Sequence, residues 1–129
     1  MKTSARFSAR DSASSSAFTA SLATEAERAG RFPAVYVQVN IGEEEQKGGC
    51  ALGEVGALVA AVRESSLPLA GLMAIPPLGP EPAPYFALLA KLARQHGVTG
   101  LSMGMSSDYR AAVMLGATAV RVGTALFED

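Results

Sequence analysis

Two short runs near the end of the 129-residue sequence hold the residue types that could grip an anion. The first is Leu101-Ser102-Met103-Gly104-Met105-Ser106-Ser107-Asp108. The second follows Gly116-Ala117-Thr118 and reads Val120-Arg121-Val122-Gly123-Thr124-Ala125-Leu126-Phe127. Each run has the character of a strand end passing into a helix start. Ser106 stands where an N-cap belongs, with Ser107 and Asp108 in the first turn, and Gly123-Thr124 can present bare backbone N–H groups beside a second helix start. Glycine allows close backbone approach and hydroxyls add donors, so two such tips side by side would suit a phosphate. Period-two alternation puts Arg121 on the strand face of Ala119 and Gly123, away from Val120 and Val122 and toward the ligand side. Its guanidinium could meet the phosphate or another acceptor on the same ligand. Without a ligand, the same residues read as helix capping and a surface ion pair.

Other chemistry-bearing residues have plainer readings. Tyr36, Gln38 and Asn40 share one strand face and Val35, Val37 and Val39 the other, so polar groups gather toward that strand's C-terminal end. The loop Gly42 to Gly49 follows, and its Lys47 would overhang the same end, although a solvated loop lysine is the simpler reading. His96 closes a helix, where a polar tip suits the last carbonyls. Cys50, Met73, Met103 and Met105 read as core or pocket packing, because no ligand-spaced His or second Cys accompanies them; no metal site is expected.

The elements that must position these residues follow from periodicity. Residues 1–18 are rich in serine and arginine, poor in acids and nearly free of large apolar side chains, which predicts a disordered tail, with an organelle transit peptide as the minor alternative. A helix is expected over 19–29, stopped at Gly30, then a strand over 34–40. Leu52, Val55, Leu58, Val59 and Val62 fall at helical spacing within 51–64, and 69–75 is a second strand ended by Pro76-Pro77. Tyr85, Leu88, Leu89 and Leu92 mark a third helix closed by Gly97. A strand over 100–105, a helix over 106–115 closed by Gly116, and a strand over 117–122 complete the order. Strands separated by helices cannot be hairpins, so they are predicted to lie parallel through right-handed crossovers. That is α/β architecture, and four strands fit either a doubly wound sheet or part of a (β/α)₈ barrel.

Composition narrows the partners. With 49% hydrophobic and 18% charged residues the chain has the balance of one globular domain. Eleven basic and twelve acidic residues leave a net charge of -1, so no general positive field exists to hold nucleic acid or an anionic membrane. Apolar runs fall short of a membrane helix, no signal-peptide core is visible, and a lone cysteine excludes a disulfide framework; the cytoplasm is the expected location.

Four ordered motifs carry a resemblance: Val37-Gln38-Val39-Asn40-Ile41 with Lys47 and Gly49, Gly71-Leu72-Met73-Ala74-Ile75-Pro76, Leu101 to Asp108, and Val120 to Phe127. Over residues 34–127 the chain resembles the pyridoxal phosphate homeostasis protein family. The resemblance implies a barrel of the alanine racemase N-terminal type that holds pyridoxal 5′-phosphate and takes part in vitamin B6 homeostasis without established enzymatic turnover. It places the phosphate cradle on Ser106, Gly123 and Thr124, with Ser102 and Met105 lining the neighbourhood, and the family's arginine on Arg121, which in the related racemase fold faces the pyridine nitrogen. An arginine there supplies no proton, so the ring is a weaker electron sink.

The sequence departs from the family in one respect that bears on function. The family's Schiff-base lysine lies on an early strand in a Val-Ser-Lys-like motif, and the lysines here are Lys2, Lys47 and Lys91, none in that context. The resemblance therefore implies an incomplete (β/α)₈ TIM barrel, roughly the last four parallel strands with intervening helices over 19–129, since a full barrel takes about 250 residues. The expected function is noncovalent binding of pyridoxal 5′-phosphate. The alternatives are a racemase-like enzyme using that cofactor, or an inert half-barrel that needs a second copy or a missing N-terminal half.

Overall fold

A computed structural model describes residues 4–7, 12–45, 48–79 and 81–120, with side chains from residue 21 on. Strands and helices alternate: β1 (Ser4–Phe7), α1 (Ser12–Ala29), β2 (Ala34–Gln38), α2 (Val55–Glu64) after a 3₁₀ turn at Leu52–Glu54, β3 (Leu69–Met73), α3 (Ala83–Gln95), β4 (Gly100–Ser102) and α4 (Tyr109–Met114). The sheet order is β1-β2-β3-β4 and every pairing is parallel, as the helix-length separations require.

The start of the chain differs from its composition-based reading. Residues 4–7, assigned to an irregular tail, pair with β2 from Ser4 beside Ala34 to Phe7 beside Val37, and α1 begins at Ser12, ahead of the expected residue 19. The physical reason is tertiary. An open edge of β2 offers backbone partners to a segment of weak intrinsic preference.

Two rows of side chains organise the sheet. Val37, Leu72 and Leu101 stand in register, each buried, and with Val35 and Val39 they face the helices. Val55, Leu58, Val59 and Val62 of α2 and Phe86 and Leu89 of α3 close over them, the faces that helical spacing selects. Full burial of each such side chain contributes roughly 1.5–3 kcal/mol. The opposite face carries the row Tyr36, Gly71 and Gly100 and the row Gln38, Met73 and Ser102. The register slips between Val35 and Tyr36, leaving Ala70 as the extra residue on β3.

Helix ends fall at the predicted glycines, Gly30, Gly97 and Gly116. His96 is the C-cap of α3, but the carbonyls there are satisfied from elsewhere: the Arg63 guanidinium donates to His96 O at 2.9 Å and to Gly97 O at 2.7 Å. The last predicted strand, 117–122, is described only through residue 120, and Ala119 there bridges to Ser102 in parallel. No helix among the described residues is long and apolar enough to cross a membrane.

Candidate functional site

Because the strands are parallel, their C-terminal ends share one edge of the sheet, and the loops leaving that edge decide what can bind there. Two of them are built very differently.

After β2 the chain turns back on itself. Val39 bridges to Cys50 in parallel, Cys50 N–H donates to Gln38 O at 2.9 Å, and Asn40 N–H donates to Cys50 O at 2.9 Å. The Asn40 side chain holds the loop between: Nδ2 donates to Glu44 O at 2.6 Å and Oδ1 accepts Glu44 N–H at 3.1 Å. The Asn40 amide therefore works within the loop. Cys50 is buried at its close, and burial pushes its thiol up to about 11, with the charge of Glu54 adding to the rise against a backbone hydrogen bond that lowers it. Lys47 lies outside the described residues.

After β4 the arrangement is more open. Between the ends of β3 and β4 lies a solvent-open depression of about 180 Å³ lined by Ala74, Ile75, Ser102, Met103, Gly104 and Met105. None of these six side chains is ionisable, and the depression is shallow, with room inside it for about one water molecule. Gly104 makes the geometry possible: its φ is 102°, and a Cβ there would stand 2.6 Å from Ala112 Cβ and 3.2 Å from Val120 Cγ1. The loop thus lies directly against α4 and the segment that follows it.

Ser106 to Asp108 form a turn, and this corrects the expected cap. The N-cap of α4 is Asp108, with Tyr109 the first helical residue, so Ser106 lies ahead of the helix. The cause is the Asp108 carboxylate, which reaches back to accept Met105 N–H at 2.7 Å while Asp108 N–H donates to Met105 O at 3.1 Å. Those two bonds hold the chain in a turn for three residues before the helix can begin.

Of the six residues expected to bind a cofactor, Ser102 and Met105 line the same depression, and Ser106 is next in the chain, half-buried in the turn. Arg121, Gly123 and Thr124 lie outside the described residues. Thr118 is described and fastens the approach to them. Its N–H donates to Leu101 O at 2.8 Å and its Oγ1 accepts Leu101 N–H at 2.9 Å. Met103 N–H donates to Ala119 O at 3.1 Å. Asp108 and Thr118, which the sequence places in and beside the two runs, make the side-chain bonds that fix this edge. The signal for Asp108 was its place three residues after Met105, the span of a side-chain-closed turn. Among the described residues no group of three or more His, Cys, Asp or Glu is placed to hold a metal ion.

Residues 9–129 match the model of the family described as alanine racemase, N-terminal domain. The chain belongs to this family. Its α/β sheet of parallel strands is accordingly that of the alanine racemase N-terminal family, a TIM-barrel-type fold. Within the family, similar curated proteins are called pyridoxal phosphate homeostasis protein. That of Pseudomonas aeruginosa is 46% identical over 99 residues, covering 72% of this chain and 43% of the relative. That of Escherichia coli K12 is 41% identical over 102 residues, covering 72% and 44%. The chain spans under half the length of these relatives. Among solved structures, PipY of Synechococcus elongatus PCC7942 is 35% identical and covers 87% of this chain and 57% of its own. Its form without pyridoxal phosphate superposes with a TM-score of 0.77, and its form with pyridoxal phosphate bound with 0.73.

Proposed function

We propose that this chain holds pyridoxal 5′-phosphate by its phosphate at the sheet edge beyond β4, and that it serves vitamin B6 homeostasis in the cytoplasm without turnover. The observation that carries the reading is the parallel bridge of Ala119 to Ser102. It lays residues 118–120 along β4, so the segment leading to Arg121, Gly123 and Thr124 joins the sheet as the neighbour of the Ser102–Ser106 run. Adjacent βα loops of this kind are where TIM-barrel folds bind phosphate. PipY, solved with pyridoxal phosphate bound, supports the choice of ligand.

The depression beside that segment is walled by neutral side chains and backbone, and the one carboxylate of the loop, Asp108, accepts the Met105 amide. In this reading Ser106, Gly123 and Thr124 donate to the phosphate, Ser102 and Met105 line its approach, and Arg121 faces the ring nitrogen. Bound, the cofactor would supply an electron-withdrawing ring. An arginine at its nitrogen supplies no proton and favours holding over carbanion chemistry. The domain is then part of a (β/α)₈ barrel, completed by a second copy of the chain.

The test is a titration of the purified chain with pyridoxal 5′-phosphate, followed by absorbance and fluorescence. Saturable binding is expected, weakened about tenfold or more by Arg121→Ala and by Gly123→Val. A spectrum indifferent to the ligand, or binding untouched by both substitutions, overturns the reading. Racemisation of an amino acid by the chain would overturn its non-catalytic part.

A further inference from the structure

The loop after β4 contains one carboxylate, and its placement is peculiar for a loop meant to meet an anion. Asp108 is the N-cap residue of α4, yet its side chain makes no capping bond to that helix. It points the other way, accepting Met105 N–H at 2.7 Å, while its own N–H returns to Met105 O at 3.1 Å. These two bonds span Met105-Ser106-Ser107-Asp108 and fix both ends of the turn in which Ser106 sits. The turn is anchored on either side: Gly104 lies against Ala112, and Asp108 O accepts Ala112 N–H at 3.2 Å. A side chain that forgoes its helix in order to close a turn is shaping that turn.

We propose that Asp108 is the positioning residue of the phosphate loop, acting as a hydrogen-bond acceptor that sets the Met105–Ser106 backbone at the sheet edge, while its negative charge opposes the anion the loop receives. The inference rests on the phosphate-binding reading above. Acceptor and charge contribute with opposite signs, because the first preorganises the donors and the second repels the ligand at short range. Asp108→Asn keeps an acceptor oxygen and removes the charge. Asp108→Ala removes both.

The experiment measures the affinity of the chain, Asp108→Asn and Asp108→Ala for pyridoxal 5′-phosphate and for inorganic phosphate, at low and high salt, with hydrogen exchange at the Met105 amide. Asp108→Ala is expected to weaken binding about tenfold, the scale of one lost ordering hydrogen bond, and to expose the Met105 amide to exchange. Asp108→Asn is expected to keep that amide protected and to bind severalfold more tightly than the parent at low salt, the gain shrinking as salt screens the carboxylate. Equal affinities in all three, or an Asp108→Asn chain as weak as Asp108→Ala, overturn the inference while leaving ligand binding intact. Failure of the parent chain itself to bind sinks the phosphate reading and this inference with it, and is recognised because the parent and both variants then fail alike. Circular dichroism of the Asp108→Ala chain separates loss of the loop from loss of the fold. Should that chain unfold, Asp108→Asn against the parent decides alone, and affinity unchanged or reduced at low salt overturns the proposal.

Discussion

The loops after β2 and after β4 leave the same edge of the same sheet and are built differently: the described part of the first folds back on itself, and a shallow depression opens beside the second. The first is the more polar in sequence, with Glu43, Glu44, Glu45 and Asn40 close together. Yet the amides of Asn40, Ile41, Glu43, Glu44 and Cys50 and the Asn40 side chain are bonded to the strand end and the loop itself, which folds back until Cys50 lies beside Val39. The second has a single carboxylate, turned inward onto Met105, and stands over a depression with neutral walls. A polar strand end is therefore not in itself a binding site. A donor or acceptor consumed by the chain's own return has little left to give a ligand.

The sharpest way to break this contrast is to stop the first loop from folding back. Gly49 adopts φ 107°, and a Cβ on it would lie 2.8 Å from Asn40 N and 2.9 Å from Val39 C. These are backbone atoms and cannot step aside as a side-chain tip would. Gly49→Ala is expected to lower stability by about 3 kcal/mol or more, combining left-handed backbone strain with a clash against the strand end. Chemical denaturation of the purified variant measures it. A loss under about 1 kcal/mol, the size of an ordinary surface substitution, would mean the return is less tightly packed than its geometry states.

A milder change should open the loop without disturbing the strand. Asn40→Ala removes the bond from Nδ2 to Glu44 O and the acceptor for Glu44 N–H. The expected loss is about 1–3 kcal/mol, with faster hydrogen exchange at the Glu44 amide and no change at Val37. If pyridoxal phosphate binding falls as far in this variant as in Arg121→Ala, the two loops are not independent and the separation drawn between them fails.

Much of this layout was legible in the residues. Val35, Val37 and Val39 alternate cleanly with Tyr36, Gln38 and Asn40, and the structure buries the valines. The apolar spacing of 55–62 found the buried face of α2, and the parallel order followed from chain lengths alone. Three things were hidden, each for a physical reason. β1 was invisible because Ser4 to Phe7 carries no strand pattern and is recruited by the open edge of β2. The late start of α4 was hidden because Asp108 competes for Met105 N–H through a bond that residue propensity does not encode. The role of Asn40 was misplaced because a polar side chain at a functional edge looks the same whether it meets a ligand or its own loop. In the candidate site, Ser102, Met105 and Ser106 fall at the C-terminal edge of the sheet, while their geometry depends on contacts with Ala112 and residues 118–120.

The weakest effect at neutral pH, and the one most specific to the closed loop, belongs to Cys50. Its thiol is 1% exposed at the point where the returning chain meets Val39, and burial lifts its pKa from an ordinary 9.0 to about 11. Below about pH 9 the thiol is neutral in both folded and unfolded chains, so it gives stability no pH dependence. Between about 9 and 11 the unfolded chain releases the proton while the folded one retains it, so stability must fall as pH rises through that window and level off above it. A shift of this size corresponds to a loss of about 2–3 kcal/mol across the window. The slope is read as the difference between the parent and Cys50→Ala, which leaves the contribution of the thiol alone. At pH 8 the folded thiol is both protonated and covered, so a thiol-specific reagent should modify it only as fast as the loop opens. Asn40→Ala should then speed that modification, because it frees the same loop, whereas Asp108→Ala should not. Rapid labelling of the folded parent at pH 8 would show that the return after β2 is open in solution, and the distinction between the two strand ends would have to be abandoned.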